Sequence, residues 1–183
     1  AKARLGKGVI WLAVPPDGAP LYEAPLEPAA VRLRLERYWQ PYHATLGRVI
    51  DATHARFGLV FHLNCHSMQA VSNDMHEEGA GRRRPDIVLS DRDGQTCSPA
   101  FLLAAKTLLE QQGFEVAVND PYKGAEIVRR YGDPAAGRHS LQLELNRRLY
   151  MDEALLERSA GFAATRNRLA RFVAGLATAV RGL

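Results

Sequence analysis

The 183 residues are 46% hydrophobic and 24% charged, the balance of a water-soluble globular protein long enough to bury a core. No apolar run approaches the roughly eighteen residues of a membrane span and no signal-peptide pattern opens the chain, so no membrane partner is expected and the cytoplasm is the default compartment. The formal charge is +4, yet the bases lie along helix-like stretches without interleaved aromatics, so no nucleic-acid partner is expected either.

Gly8 to Val14 is a short apolar run before the turn residues Pro15-Pro16-Asp17-Gly18, and it reads as a strand followed by a turn. Pro28 to Phe57 carries apolar residues at helical spacing (Val31, Leu35, Tyr38, Trp39, Tyr42, Leu46, Val49, Ile50) and is expected to be one long helix. Pro28 suits its first turn, Pro41 is expected to kink it and Gly58 to stop it. Leu59 to Cys65 is the clearest strand, and it makes Cys65 a core thiol. Cys65 and Cys97 are too few to form a disulfide framework or a zinc-finger pattern.

Gln69 to Pro85 is long, polar and Gly-rich, as functional or mobile loops are. Within it, Arg82-Arg83-Arg84 reads either as a solvated loop or as a lid that attracts an anion. Asp86 to Leu89 is a second strand of this sort. Ser98 is expected to cap a helix through Gln112, with Pro99 at its first position and Gly113 at its end. Phe114 to Val118 is the next strand. Tyr122 to Tyr131 reads as a short helix or a loop of a site. Ser140 to Leu145 is the last strand, and from Asp152 the chain is expected to be helical to its end. The buried face of that helix would be Leu155, Phe162, Leu169, Phe172, Val173, Leu176 and Val180. Strands alternating with helices point to an α/β fold, with a largely parallel sheet, in one domain spanning residues 1–183.

Two strand ends carry side chains suited to chemistry. His62, Asn64 and His66 share one face of a regular strand, and His66 falls at its carboxyl end, where α/β folds bind ligands. Such an imidazole is a metal ligand or base, or simply a hydrogen-bonded histidine; His62 reads as structural. Gln142 and Glu144 share a face of an otherwise apolar strand. A buried carboxylate needs a partner. Arg147 or Arg148 would supply one structurally; alternatively Glu144 is the base beside a metal-bound water. Lys123, Arg129 and Arg130 either hold a substrate carboxylate or form a solvated basic face.

Leu63-Asn64-Cys65-His66-Ser67, Pro85 to Ser90 with Asp93-Gly94 and Cys97, Tyr122-Lys123-Gly124 with Arg129, Tyr131-Gly132 and Pro134, then His139, Gln142-Leu143-Glu144 and Tyr150 to Glu153 form an ordered series. With Trp39-Gln40-Pro41-Tyr42-His43, the series resembles the N-formylglutamate amidohydrolase family over nearly the whole chain. That family resembles zinc carboxypeptidases and aspartoacylases. The resemblance implies a phosphorylase/hydrolase-like (zinc carboxypeptidase-like) α/β fold with a mixed, mostly parallel sheet and helices on both faces. It implies Zn2+ as cofactor, His66 as a zinc ligand and Glu144 as the catalytic carboxylate. Arg129, His139, Gln142 and Lys123 match the substrate pocket, with Asn64 and Ser67 behind the metal ligand. The implied reaction is hydrolysis of an N-formyl or N-acyl amino acid, foremost N-formyl-L-glutamate to formate and L-glutamate, as in histidine degradation. A non-catalytic carboxylate-binding paralogue, or an aspartoacylase-like or peptidase-like zinc hydrolase, are the alternatives.

Two departures accompany the resemblance. Asn64 stands where the family usually has Asp. The family's earlier ligands (a His and an acidic residue) and a substrate-binding Arg are expected ahead of Ala1. The chain is therefore expected to be incomplete at its N-terminus and short of the three protein ligands that catalytic zinc usually takes.

Overall fold

A computed structural model describes residues 2–76 and 79–183. The chain divides into two compact units, one of residues up to 49 with 71–83, the other of residues 50–70 and 84–183.

In the first unit the apolar run that opens the chain is mostly irregular. Only Ala13–Val14 (β1) is a strand, and it pairs antiparallel with Ala19–Pro20 (β2) across the Pro-Pro-Asp-Gly turn. The run therefore builds a local hairpin and not a strand of a parallel sheet. Helix α1 (Pro28–Arg34) begins with Pro28 in its first turn, as the sequence requires. Pro41 leaves its mark one turn earlier than a simple kink. It has no N–H to give to the preceding turn, and residues Leu35–Trp39 widen into a π-helical turn in which the Gln40 N–H reaches the Leu35 carbonyl. Helix α2 (Gln40–Phe57) follows and stops at Gly58, whose φ is +73°. The long polar loop is closed at its base by a bridge between Val71 and Arg83, and Ser72 accepts from the Arg82 N–H at 2.9 Å.

The second unit is built on four strands: β3 (Val60–Met68), β4 (Ile87–Ser90), β5 (Val116–Val118) and β6 (Arg138–Asn146). Their spatial order is β3-β6-β4-β5. β3 runs parallel to β6 and β4 parallel to β5, while β4 and β6 are antiparallel, so the sheet is mixed. Helices α3 (Pro99–Gln111) and α5 (Phe162–Ala179) cover one face. Ile87, Leu89, Leu141 and Leu143 of the strands meet Phe101, Ala105, Leu109, Phe172 and Leu176 of the helices. Each fully buried Leu or Phe there contributes about 1.5–3 kcal/mol. The short α4 (Glu126–Tyr131) begins on the other face, where the Ala125 N–H donates to Gln142 Oε1 at 2.9 Å.

Local chemistry explains the well-placed boundaries. Ser98 caps α3 by accepting from the Phe101 N–H at 3.3 Å, Pro99 follows it, and Gly113 ends the segment at φ +79°. The expected helix from Asp152 does not start there. Met151–Asp152 (β7) and Glu157–Arg158 (β8) form a hairpin. Asp152 Oδ1 accepts from the Ala154 and Leu155 N–H groups at 2.8 and 3.0 Å, a side-chain turn that competes with helix. Leu155, in that turn, is exposed rather than part of a buried face; on α5 Val173 is exposed too, whereas Phe172 and Leu176 are buried. Cys65 is also exposed, because β3 lies at the margin of this sheet and the residue sits near its end.

Candidate functional site

The alternation of β6 separates its side chains cleanly. Leu141 and Leu143 enter the core with α3 and α5. Ser140, Gln142, Glu144 and Asn146 point to the opposite face. In the parallel pairing of β3 with β6, Asn64 stands opposite Gln142 and His66 opposite Glu144. Directly paired residues lie on the same face, so the imidazole and the carboxylate emerge side by side. Glu144 is 9% exposed and Gln142 2% exposed, while His66 is open to solvent.

Each of these side chains is tied to a neighbour. Gln142 Nε2 donates to Glu144 Oε1 at 3.0 Å. Asn64 Nδ2 lies 2.8 Å from His66 Nε2. An amide in that place can donate to the ring nitrogen or, turned over, accept from its N–H, whereas a carboxylate can only accept. Asn64 therefore orients the ring without dictating its tautomer. His62 Nδ1 meets the Ser140 hydroxyl at 2.8 Å on the same face, and burial lowers its pKa. Of the arginines considered as partners for Glu144, Arg147 donates to Ser67 Oγ at 3.1 Å and Arg148 to Asp86.

Other candidates lie elsewhere. His139 is on the core face: its ring stacks on Phe61 with centroids 4.9 Å apart, and Nδ1 accepts from the Ser98 N–H at 3.1 Å. It thus holds the start of α3 on the face opposite to Glu144, and burial lowers its pKa. Ser67 falls on the alternate face of β3 from His66. Lys123 pairs with Asp93 at 2.8 Å, in an exposed ion pair. Arg129 forks onto Glu126 at 2.8 and 3.0 Å. Partial burial pushes the Glu126 carboxyl up, but hydrogen bonds and charge from Arg129 and Arg130 outweigh it and hold that carboxyl below its ordinary value. Of the basic loop residues, Arg84 is not solvated; it is 4% exposed, donates to the Gln69 carbonyl at 3.3 Å and lies over the Tyr122 ring at 5.1 Å.

The loops after β4 and β5 are locked together by Asp91 and Asn119. Asp91 Oδ1 accepts from Gly94 N–H at 3.0 Å and from Asn119 Nδ2 at 2.8 Å, and Asn119 Oδ1 accepts from the Asp91 N–H at 3.1 Å. The Asp-x-x-Gly spacing signals the first of these bonds; no local pattern signals the second. Glu153, at the start of the β7–β8 turn, accepts from the Ala70 N–H at 2.9 Å and thereby ties down the segment after β3.

Among the described residues no three His, Cys, Asp or Glu side chains converge as a metal ion needs. One imidazole beside one carboxylate does not by itself make a zinc site.

The family model for N-formylglutamate amidohydrolase matches residues 3–151. An N-formylglutamate deformylase of Pseudomonas putida is 32% identical over 140 residues, which is 75% of this chain and 51% of that protein. A protein of the same name from Pseudomonas aeruginosa is 33% identical over 140 residues, with the same coverage of 75% and 51%. The chain thus spans about half the length of the curated relatives it matches. The crystal structure of an N-formylglutamate amidohydrolase from Ralstonia eutropha JMP134 superimposes with a TM-score of 0.86 at 40% identity, covering 100% of this chain and 65% of that one.

Proposed function

The chain belongs to the N-formylglutamate amidohydrolase family, and we propose that its protein hydrolyses the amide of an N-formyl or N-acyl amino acid, foremost N-formyl-L-glutamate, with zinc as cofactor. The observation that carries this reading is the pairing of His66 with Glu144 across two parallel strands. His66 is proposed as one zinc ligand, and Asn64 as the side chain that orients its ring. The described residues alone do not complete the zinc site, so the chemistry they themselves carry is proton handling.

Glu144 is suited to that work. It is largely shielded from solvent, and one of its oxygens accepts a hydrogen bond from Gln142. In the proposed reaction a carboxylate oxygen of Glu144 takes a proton from the attacking water as its oxygen bonds to the formyl carbon. The same carboxyl then gives that proton to the amide nitrogen as the C–N bond breaks. The remaining hydroxyl proton of the nascent formic acid ends on the amine, so the products are formate and an ammonium-form amino acid. Lys123 and Arg129 are proposed to take the substrate carboxylates. Both sit in exposed ion pairs, which contribute little and exchange partners readily.

The test is a panel of N-formyl and N-acetyl amino acids assayed alongside zinc content by atomic emission. Formate release from N-formyl-L-glutamate, lost together with stoichiometric zinc on chelation, is the expected result. Faster cleavage of an N-acetyl substrate transfers the reading to an aspartoacylase-like enzyme. A metal-free chain that binds these compounds without cleaving them makes it a carboxylate-binding paralogue, a reading that Asn64 favours.

A further inference from the structure

Gln142 matches a substrate-pocket position, yet both ends of its amide are engaged within the protein. It lies on the central strand β6 and is 2% exposed. The Ala125 N–H donates to its Oε1 at 2.9 Å, and its Nε2 donates to Glu144 Oε1 at 3.0 Å. A backbone N–H can only donate, so the amide oxygen must face Ala125, and the nitrogen is then obliged to face the carboxylate. The orientation is thus dictated by chemistry.

Granting Glu144 the proton-handling role above, we propose that Gln142 is a positioning residue that transmits the seating of the 119–125 loop to the Glu144 carboxylate. The loop has firm anchors on its other side. Ser90 Oγ donates to the Tyr122 carbonyl at 2.7 Å. Arg92 donates from its backbone to the Lys123 carbonyl at 2.7 Å and from Nη1 to the Gly124 carbonyl at 3.1 Å. Gly124 has φ +102°, and a Cβ there would stand 2.8 Å from Val128 Cγ2, so the approach to Ala125 admits glycine only. At Ala125 this anchored loop bonds the strand that carries Glu144.

The link also bears on specificity. Lys123, two residues before Ala125, is the loop's cation, and its partner Asp93 is exposed. A substrate carboxylate that draws Lys123 from Asp93 acts on the same loop that aligns the base.

Amide hydrogen exchange tests the link without relying on activity. The readout is the Ala125 exchange rate relative to that of the buried Ile87 amide, which bonds the Glu115 carbonyl and not this loop, a ratio that cancels any global loss of stability. Removing a typical hydrogen bond is expected to raise it about fivefold in Gln142→Met. Glu144→Ala, which leaves Ala125 untouched, is expected to raise it about twofold or more by releasing the far end of Gln142. An unchanged ratio in both variants overturns the proposal. In the assay, Gln142→Met is expected to lower kcat about tenfold with KM nearly constant; a raised KM at constant kcat puts Gln142 on the substrate and overturns it too. If the unaltered protein fails to cleave any N-acyl amino acid, the functional reading fails, and the exchange ratio still decides whether loop and carboxylate are linked.

Discussion

Replacing Glu144 by Gln separates chemistry from folding in this site. The substitution keeps the side-chain shape and removes one charge. Gln142 presents its Nε2 to this position, so the new amide must turn its oxygen toward Gln142 to keep the 3.0 Å hydrogen bond. A charge-assisted bond becomes a neutral one, a loss of about 1 kcal/mol. Relief from holding a charge at a site only 9% exposed offsets part of that loss. The midpoint of thermal unfolding is therefore expected to move by no more than about 4 °C. Turnover has no such compensation. Without a group to take the proton of water, kcat is expected to fall by about 10²- to 10⁴-fold, equivalent to about 2.7–5.4 kcal/mol in the barrier. Formate release measured at saturating substrate, with thermal unfolding of both proteins in the same buffer, checks both halves. A Glu144→Gln protein that keeps its turnover within about tenfold of the original would falsify the role given to this carboxylate.

Gly132→Ala places a Cβ 2.6 Å from Thr96 Cβ and 2.7 Å from its carbonyl oxygen, where Thr96 is held by reciprocal bonds with Ser140. That contact cannot relax at a side-chain tip, and urea unfolding is expected to show a loss of about 1–3 kcal/mol, with an unaltered midpoint refuting the contact. The two thiols should differ in access: partial desolvation raises the Cys65 thiol but leaves it exposed, whereas Cys97 is buried and its thiol is pushed up to about 12, by burial first and then by Asp91. A disulfide reagent at pH 8 is expected to label one thiol promptly and the second only in denaturant. Burial lowers the pKa of both His62 and His139 below the ordinary 6.5. The unfolded chain then binds protons that the folded one resists, so stability falls as pH drops below 6.5 and levels off below the depressed folded values. Each histidine contributes at most about 1.4 kcal/mol per pH unit, and His139→Asn should reduce the slope between pH 6.5 and 5 measured by urea unfolding. An undiminished slope would remove His139 from that account.

Much of the second unit was legible from local pattern. Ser98-Pro99 and Gly113 bracket α3, Gly58 separates α2 from β3, and the apolar runs at β3, β4 and β6 mark strands that form. The misreadings also have local causes. Asp152 folds its own side chain into a turn where periodicity suggested helix, and Pro41 is answered by a π turn. The opening apolar run closes on itself through a Pro-Gly turn before it can join a larger sheet.

Period-two alternation placed Gln142 with Glu144, and His62 and Asn64 with His66, because side-chain direction along a strand is a property of the strand alone. Which strand lies beside which, in what direction and in what register, is decided by contacts between distant segments burying a shared core. Pairing β3 with β6 in parallel brings His66 beside Glu144, sends His139 to the opposite face against Phe61, and leaves Gln142 between Glu144 and Ala125. The amino-acid order determined the chemistry available on each strand face; the packing of the sheet determined which of those groups could act together.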